Sequence, residues 1–351
     1  MSTLKVLLAD LLSKTLAKCG ASQKSASRLV QEYDNLEQVG PAPGQPGQQH
    51  DKMVRNKLCK RASANEDKNR YCNLFPFDTN VYNFPGSSDK YINASWIDLE
   101  EGKGSKYIVT MAPLDPQSFS YNEDSTVPDF WQMCWETKVP AIVMLCTVSP
   151  GFAGCSQYFP DSPGSVVKYG DFTVTHVKTV EKTVEGFLTR EFTLRKEGET
   201  AEHKMTQFHY KAWPNYGVPQ LGVTDFVTYV YEQTQGSTAA LQSNGSPRLV
   251  IHCSGGIGRS GTFLSAFHAC CKLRELCDGF GGGGAIEGGE ESCGGIFTED
   301  GVCLENTVMK MRTQRHPWMV EGLHQYRVAY EIVIQMIRNQ LQLLSGESSD
   351  L

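Results

Sequence analysis

The sequence predicts an α/β domain built on a mixed sheet, and three observations carry that expectation. From about residue 65 onward, short β-type runs alternate with stretches of helical periodicity. One apolar run, PRLVIHC, ends at a cysteine just before a glycine-rich turn and a long helical segment. The chain then closes with two strongly periodic stretches, VCLENTVMKMRTQRHPWMV and LHQYRVAYEIVIQMIRNQLQLL.

Taken in order, MSTLKVLLADLLSKTLAKCG resembles a leader only briefly. Asp10 and Lys14 interrupt it, and its apolar residues recur at helical spacing, so it reads as an amphipathic helix. SRLVQEYDNLEQV predicts a second helix, and PAPGQPGQQH breaks the chain as a Pro/Gly/Gln linker. Residues 1–45 are therefore expected as a helical extension with its linker, and 46–342 as the main domain. Within that domain KYIVTMA reads as a strand, PDFWQMCWE as a helix and AIVMLCTV as an apolar strand. DFTVTHVKTV, GFLTREFTLRK and HKMTQFHYKAW follow as β-type segments, and TDFVTYVYEQTQ as a helix. The strand PRLVIHC and the helix RSGTFLSAFHACCKLRELC come next. Residues 278–301, rich in glycine and acid, are expected to be a flexible surface insertion, and 343–351 a disordered tail. No internal repeat is present.

Of the 351 residues 40% are hydrophobic and 21% charged, which suits a folded core rather than disorder. The net charge is -6 and no basic run exceeds a few residues, so a nucleic-acid footprint is excluded and any anion must be held locally. The 12 cysteines are scattered, with no CxxC pair and no histidine at zinc-finger spacing; free thiols in a reducing cytosol are expected, with no metal. No stretch approaches the ~18 apolar residues of a membrane span, and residue 2 is Ser rather than the Gly of N-myristoylation. A cytoplasmic location is expected.

The chemistry concentrates in VIHCSGGIGRSGTF, residues 250–263. Backbone N–H groups of Ser254, Gly255, Gly256, Ile257, Gly258 and Arg259 can converge on one anion, because the glycines remove Cβ atoms that would block a tight ring. The following helix points its positive end at the same place. That field favours Cys253 as a thiolate, well below a free thiol's pKa of roughly 8.5. Arg259 offers a planar fork for two phosphoryl oxygens and for transition-state charge, and Ser260 can donate to the sulfur as it leaves. A nucleotide P-loop is excluded because no Gly-Lys-Ser/Thr is present, and a dinucleotide fold because the turn comes late with no βαβ acid after it.

HCSGGIGRSG resembles the signature loop of the protein tyrosine phosphatases, and the likeness extends over about residues 65–340. KNRY at 68–71, YINASWI at 91–97, DFWQMCWE at 129–136, FHYKAWPNYGVP at 208–219 and MVEGLHQY at 319–326 resemble family segments in family order. The resemblance implies a highly twisted mixed β-sheet flanked by α-helices, phosphotyrosine-containing proteins as substrates, and no cofactor. It implies catalytic roles for Cys253, Arg259, Ser260 and His252 and for the loop position held by Asn215. It implies substrate contacts from residues 254–258, Tyr71, Asn73, Glu321 and Gln325, with Tyr71 as the aromatic wall of a pocket too deep for phosphoserine.

Several positions depart from the family pattern. Its mobile loop reads Trp-Pro-Asp, the aspartate protonating the leaving phenolate; this chain has Trp213-Pro214-Asn215, and an amide cannot act as that acid. With tyrosine leaving at a pKa of about 10, loss of the acid typically costs roughly 10² to 10⁴ in rate. The family's water-positioning glutamine falls on Glu321, with Gln325 matching the second glutamine. The lysine before the family's Cys-x-Tyr-Trp segment falls on Gly154, a glutamate that usually braces the signature arginine falls near Ser149, and an aspartate that often holds the substrate backbone falls on Asn73. Two readings of different class follow: a tyrosine phosphatase with a weakened acid step, or a binding module that captures phosphotyrosine proteins unchanged. A phosphoinositide phosphatase is disfavoured because the cradle contains no basic residue before Arg259.

Overall fold

The structure, a computed structural model, describes residues 3–19, 23–39, 58–100, 107–115, 125–149, 154–181, 186–215, 217–220, 222–242, 247–281 and 295–346. Helices α1 (Thr3–Cys19), α2 (Gln23–Val39) and the single turn α3 (Lys60–Ser63) precede strands β1 (Ala94–Ile97) and β2 (Tyr107–Thr110). Helix α4 (Val127–Thr137) leads to β3 (Ala141–Met144), β4 (Val166–Tyr169), β5 (Phe172–Glu181), β6 (Phe187–Lys196) and β7 (Glu202–Tyr210). Helix α5 (Val223–Gln242), β8 (Leu249–His252), α6 (Gly258–Gly281), the small pair β9 (Phe297–Thr298) and β10 (Gly301–Val302), α7 (Glu305–Gln314) and α8 (Gly322–Ser345) complete the order.

Eight strands form one mixed sheet in the order β1-β2-β8-β3-β7-β6-β5-β4. Its centre, β2-β8-β3-β7, is parallel, and both flanks are antiparallel. Buried on both faces, the central strands read as continuous apolar runs, and the period-2 alternation divides them between two cores. Val109, Val143 and Ile251 face the helices α5, α6 and α8, while Ile108, Ile142 and Val250 face α4 and the inner residues of β5 to β7. Strand β8, late in the chain, thus lies between two earlier parallel strands, and its carboxyl end is where an open α/β sheet presents a crevice.

Strands β1 and β4 do not stand out in sequence. Each has four residues, and β4 is an exposed edge where Val166 and Val167 remain in solvent. The segment 278–301, expected to be a flexible insertion, is structured at both ends: α6 runs on to Gly281, and Phe297–Thr298 pairs with Gly301–Val302, burying Phe297 and Val302. The apolar Ile-Phe and Val that flank the acids supply the burial that the glycines cannot. Residues 282–294 lie outside the described set, as do 40–57, which include the PAPGQPGQQH linker. Of the expected disordered tail 343–351, residues 343–345 extend α8, and 347–351 lie outside the described residues.

Helices α1 and α2 join the main core. Leu4, Leu8, Leu11, Leu29 and Leu36 belong to the same buried cluster as α6 and α8. Lys18, 4% exposed, donates to the Val302 carbonyl at 3.0 Å and the Tyr330 hydroxyl at 3.1 Å and pairs with Glu32. Burying an ammonium is costly unless such partners surround it, so these contacts specify one docking geometry. Leu8→Ala is expected to lower the unfolding free energy by about 2–5 kcal/mol, read as a shift in the urea midpoint. The transition should stay single; a separate early transition would mean that α1 and α2 do not share the core.

Candidate active site

Strand β8 ends at His252, and its main chain is fastened on both sides: Leu145 N–H donates to the His252 carbonyl at 2.9 Å and Ala112 N–H to the Ser254 carbonyl at 3.0 Å. Cys253 therefore leaves the sheet from a fixed point. Its sulfur accepts a hydrogen bond from Gly256 N–H at 3.2 Å, the contact in which the turn curls back over the thiol. Gly256 has φ +67, and a Cβ there would come within 2.2 Å of the Thr110 carbonyl oxygen; only glycine fits. At Gly258 and Gly261 a Cβ would meet the Gln325 amide at 2.5 Å and Val320 N at 2.7 Å. These two positions admit close packing of the α6 N-terminus rather than an unusual dihedral.

The carbonyls of the turn are held from outside by Arg315. Buried at 1% exposure, its guanidinium donates to Gly256 O at 2.7 Å, Gly255 O at 3.4 Å, Asn93 Oδ1 at 3.1 Å and Ser95 Oγ at 3.2 Å. With the Gly255 carbonyl drawn outward, the peptide it shares with Gly256 turns its N–H toward the sulfur; of the amides expected to converge, this is the one whose contact with the sulfur is seen among the described residues. Burial pulls Arg315 down to about 10, with the nearby Tyr91 and Cys253 acting the other way. Asn93 Nδ2 also donates to Asn69 Oδ1 at 2.7 Å and the Leu74 carbonyl at 2.8 Å, and Tyr91 donates to Asn69 at 2.7 Å. One network thus joins the 68–71 and 91–97 segments to the turn. Tyr71, which the first segment carries, shares a 2.8 Å hydrogen bond with Ser254 Oγ.

The result is a cavity of about 90 Å³ lined by Tyr71, Asn73 and Leu74 on one wall, Cys253 and residues of the turn at its base, Arg259 and Asn215 on another side, and Trp318, Glu321 and Gln325 at the rest. Of the expected site residues, Ser254 and Gly256 support the turn, and Ile257 and Gly258 line the cavity with Gly255. His252 is fully buried behind them. Its Nε2 meets the Tyr158 hydroxyl at 2.8 Å, and Nδ1 faces the Cys253 carbonyl at 3.3 Å, so His252 is tied to the main chain of its neighbour and does not line the cavity. Cys146 and Cys155 place their sulfurs with His252 inside a 4.8 Å cluster that sequence spacing does not reveal, and burial pushes the Cys146 thiol up. Ser260 Oγ, also buried, has no hydrogen-bond partner among the described residues, and no bond from it to Cys253 is present.

The loop at 213–215 is drawn onto the cavity by Arg259. Nη1 donates to the Trp213 carbonyl at 3.3 Å and Nη2 to Asn215 Oδ1 at 3.0 Å, while the Trp213 indole donates to Gly217 O at 3.1 Å. Arg259 has neutral acceptors here, and no ion pair of Arg259 occurs among the described residues. The positions that resemblance assigns to bracing charges fit together differently: a Cβ at Gly154 would meet Ser149 Oγ at 2.0 Å, so no lysine fits this turn as it stands.

Glu321 precedes α8. Val320 before it holds φ +62, a strained conformation for a β-branched residue, and Gly322 N–H after it donates to the Tyr33 hydroxyl of α2 at 2.8 Å. Burial holds the Glu321 carboxyl above the usual carboxylate range, with His324 and Arg259 pulling it back. Its side chain is at the rim, so this desolvation is partial. Glu321 is the one carboxylate among the described residues that line the cavity. Sequence reasoning missed Arg315 and Trp318, whose signal was the QRHPW break between two helical patterns. It also missed Tyr33, for which α2 carries no signal.

A cysteine sulfur beneath an inward-turned amide, with a guanidinium beside it, can bind a tetrahedral oxyanion and attack its centre. A model of the family described as Protein-tyrosine phosphatase matches residues 65–335. The chain is 31% identical over 296 residues to "Receptor-type tyrosine-protein phosphatase alpha" of Mus musculus, covering 82% of this chain and 30% of that protein. It is 33% identical over 236 residues to "Tyrosine-protein phosphatase non-receptor type 4" of Mus musculus, covering 64% and 23%. To "Tyrosine-protein phosphatase non-receptor type 9" of Rattus norvegicus it is 28% identical over 332 residues, covering 91% and 48%. The chain spans less than half the length of each of these relatives.

Replacing the Arg315 fork tests the support of the turn. Arg315→Lys offers a single point charge for four acceptors and is expected to lower stability by about 1.5–3 kcal/mol and to weaken vanadate binding at least about tenfold. Unchanged vanadate affinity by isothermal titration would show that the turn keeps its shape without the fork.

Proposed function

The chain belongs to the protein-tyrosine phosphatase family, and on that premise we propose that it hydrolyses phosphotyrosine in protein substrates through a phosphocysteine on Cys253. The observation that carries this reading is the 3.2 Å contact of Gly256 N–H with the Cys253 sulfur, at the base of a cavity that Arg259 also lines. A phosphoryl group seated there meets the Gly256 amide, the guanidinium and the positive end of α6. Sγ attacks phosphorus, the P–O bond to the phenol breaks, and the sulfur carries the phosphoryl group until water removes it.

The remaining roles in this reading follow the lining of the cavity. Tyr71 and Leu74 flank the tyrosyl ring, and the depth they add favours phosphotyrosine over shorter phosphoserine. Asn73 lies at the mouth, where substrate main chain would pass. Ser260, buried and with no hydrogen-bond partner among the described residues, can donate to the sulfur when phosphocysteine is cleaved. Gln325, 2% exposed, packs its amide on Gly258 and keeps α8 against the cradle.

Asn215 accepts from Arg259 through its amide oxygen. It neither carries an acidic proton nor repels a phosphate dianion, so binding is retained while phenolate departs without acid assistance. That same observation supports the second reading, a module that captures phosphotyrosine proteins and turns them over very slowly. Retention of Cys253, which a pure binder does not need, favours the enzyme. No helix among the described residues is long and apolar enough to cross a membrane, and the cytoplasmic setting belongs to this reading through the scattered, unpatterned cysteines of the sequence.

Phosphate release from a phosphotyrosyl peptide separates the readings. The parent is expected to exceed Cys253→Ser clearly and to fall below Asn215→Asp by roughly 10² to 10⁴. A parent equal to Cys253→Ser, with turnover restored in Asn215→Asp, would assign the chain to the capture class. If all three neither bind nor cleave the peptide, both readings fail.

A further inference from the structure

Hydrolysis of a phosphocysteine requires a group that takes a proton from the attacking water, and Asn215 cannot do so. Resting on the phosphatase reading above, we propose that Glu321 is this base, the carboxylate having changed sides of the cavity.

Three observations carry the assignment. Glu321 and Asn215 line the same cavity of about 90 Å³, together with Cys253 and Arg259, so water reaching a phosphoryl group on Sγ moves within the space they enclose. Glu321 is the one carboxylate among the described residues of that lining. Its place is built rather than incidental: Val320 is held at φ +62, Gly322 at φ +82, and the Tyr33 hydroxyl accepts the Gly322 N–H at 2.8 Å. A surface glutamate with no task needs none of these constraints. Partial burial holds its carboxyl above the usual range, which brings it nearer neutrality and strengthens it as a base.

The charged and titratable groups set around Glu321 are Arg259 across the cavity, His324 on its own helix, Cys253 and Tyr71 in the same lining, and Tyr33 against the next amide. Arg259 and His324 both favour the ionised form that a base needs. In the step itself the water oxygen bonds to phosphorus and the P–Sγ bond breaks, its electron pair leaving on sulfur. The water proton passes to the Glu321 carboxylate and then to solvent, and inorganic phosphate departs. Asn215, with an amide oxygen and two N–H donors, is suited to orient the water rather than deprotonate it.

The test uses the full chain and 4-nitrophenyl phosphate, whose phenol leaves without protonation, so that the second step is exposed. Glu321→Gln is expected to give a burst of one nitrophenolate per active site followed by turnover at least about tenfold slower than the parent. Label from the 32P-substrate should stay on the protein, and on none of the Cys253→Ser variant. The parent's rate should fall as pH drops through the Glu321 titration, and that acidic limb should vanish in Glu321→Gln. Asn215→Asp combined with Glu321→Gln should recover the lost rate, since a carboxylate then faces the water from the other loop. Vanadate binding by Glu321→Gln at parental affinity establishes that its cradle is intact, and Glu321→Asp, which keeps the acid–base group, should fall between the two. If Glu321→Gln binds vanadate yet loses its label as fast as the parent, the base assignment is overturned and the phosphatase reading stands. If no chain with Cys253 is ever labelled, both fall.

Discussion

A buried guanidinium that turns carbonyls away from a sulfur is the constraint on which the rest of the molecule depends. The tight turn after β8 could place its dipoles either way. Arg315 selects one by gripping the Gly255 and Gly256 carbonyls from behind, and that selection is what leaves an amide facing Cys253. The charge is then shared through Asn93 and Asn69 with the segment that carries Tyr71. Depth of the pocket and polarity of its base are therefore consequences of one hydrogen-bond network, and a buried network of this kind is rigid only when each member is satisfied.

The sheet contributes position. With β8 held between β2 and β3 by parallel ladders, the nucleophile emerges at the centre of the widest rigid element in the chain. The loops on either side of it carry the chemistry that can vary: 213–215 on one side and 319–322 on the other. The first sets an amide, Asn215, against the cavity and the second a carboxylate, Glu321, while at a third loop Gly154 leaves just the space that Ser149 fills.

Most of the central architecture was legible in the chain. The apolar run to Cys253, the glycines and Arg259 announced the cradle, because close backbone approach leaves a compositional mark. Of the four-residue strands, β2, β3 and β8 are buried throughout and show as apolar runs, whereas exposed β4 and the Ala-Ser-Trp-Ile of β1 carry no such run and read as loop. The acids and glycines of 278–301 masked the few apolar residues, Ile296, Phe297 and Val302, that order the pair β9 and β10. Arg315 looked like one more charge at a helix end: its role lies in burial, which one sequence does not display. Cys146, Cys155 and His252 meet because the ends of β3 and β8 lie side by side and an isolated bridge to Val148 brings Cys155 back to them.

The Tyr33 hydroxyl reaches Gly322 from a helix that ends before the family likeness begins at residue 65. Arg312 anchors that helix by donating to the Leu36 carbonyl and pairing with Glu37. Trimming the polypeptide to its recognisable portion would strip the prop from the rim while leaving the nucleophile untouched. Kinetics gathered on such a shortened protein would then describe a different machine from the intact one, even though its signature loop were identical.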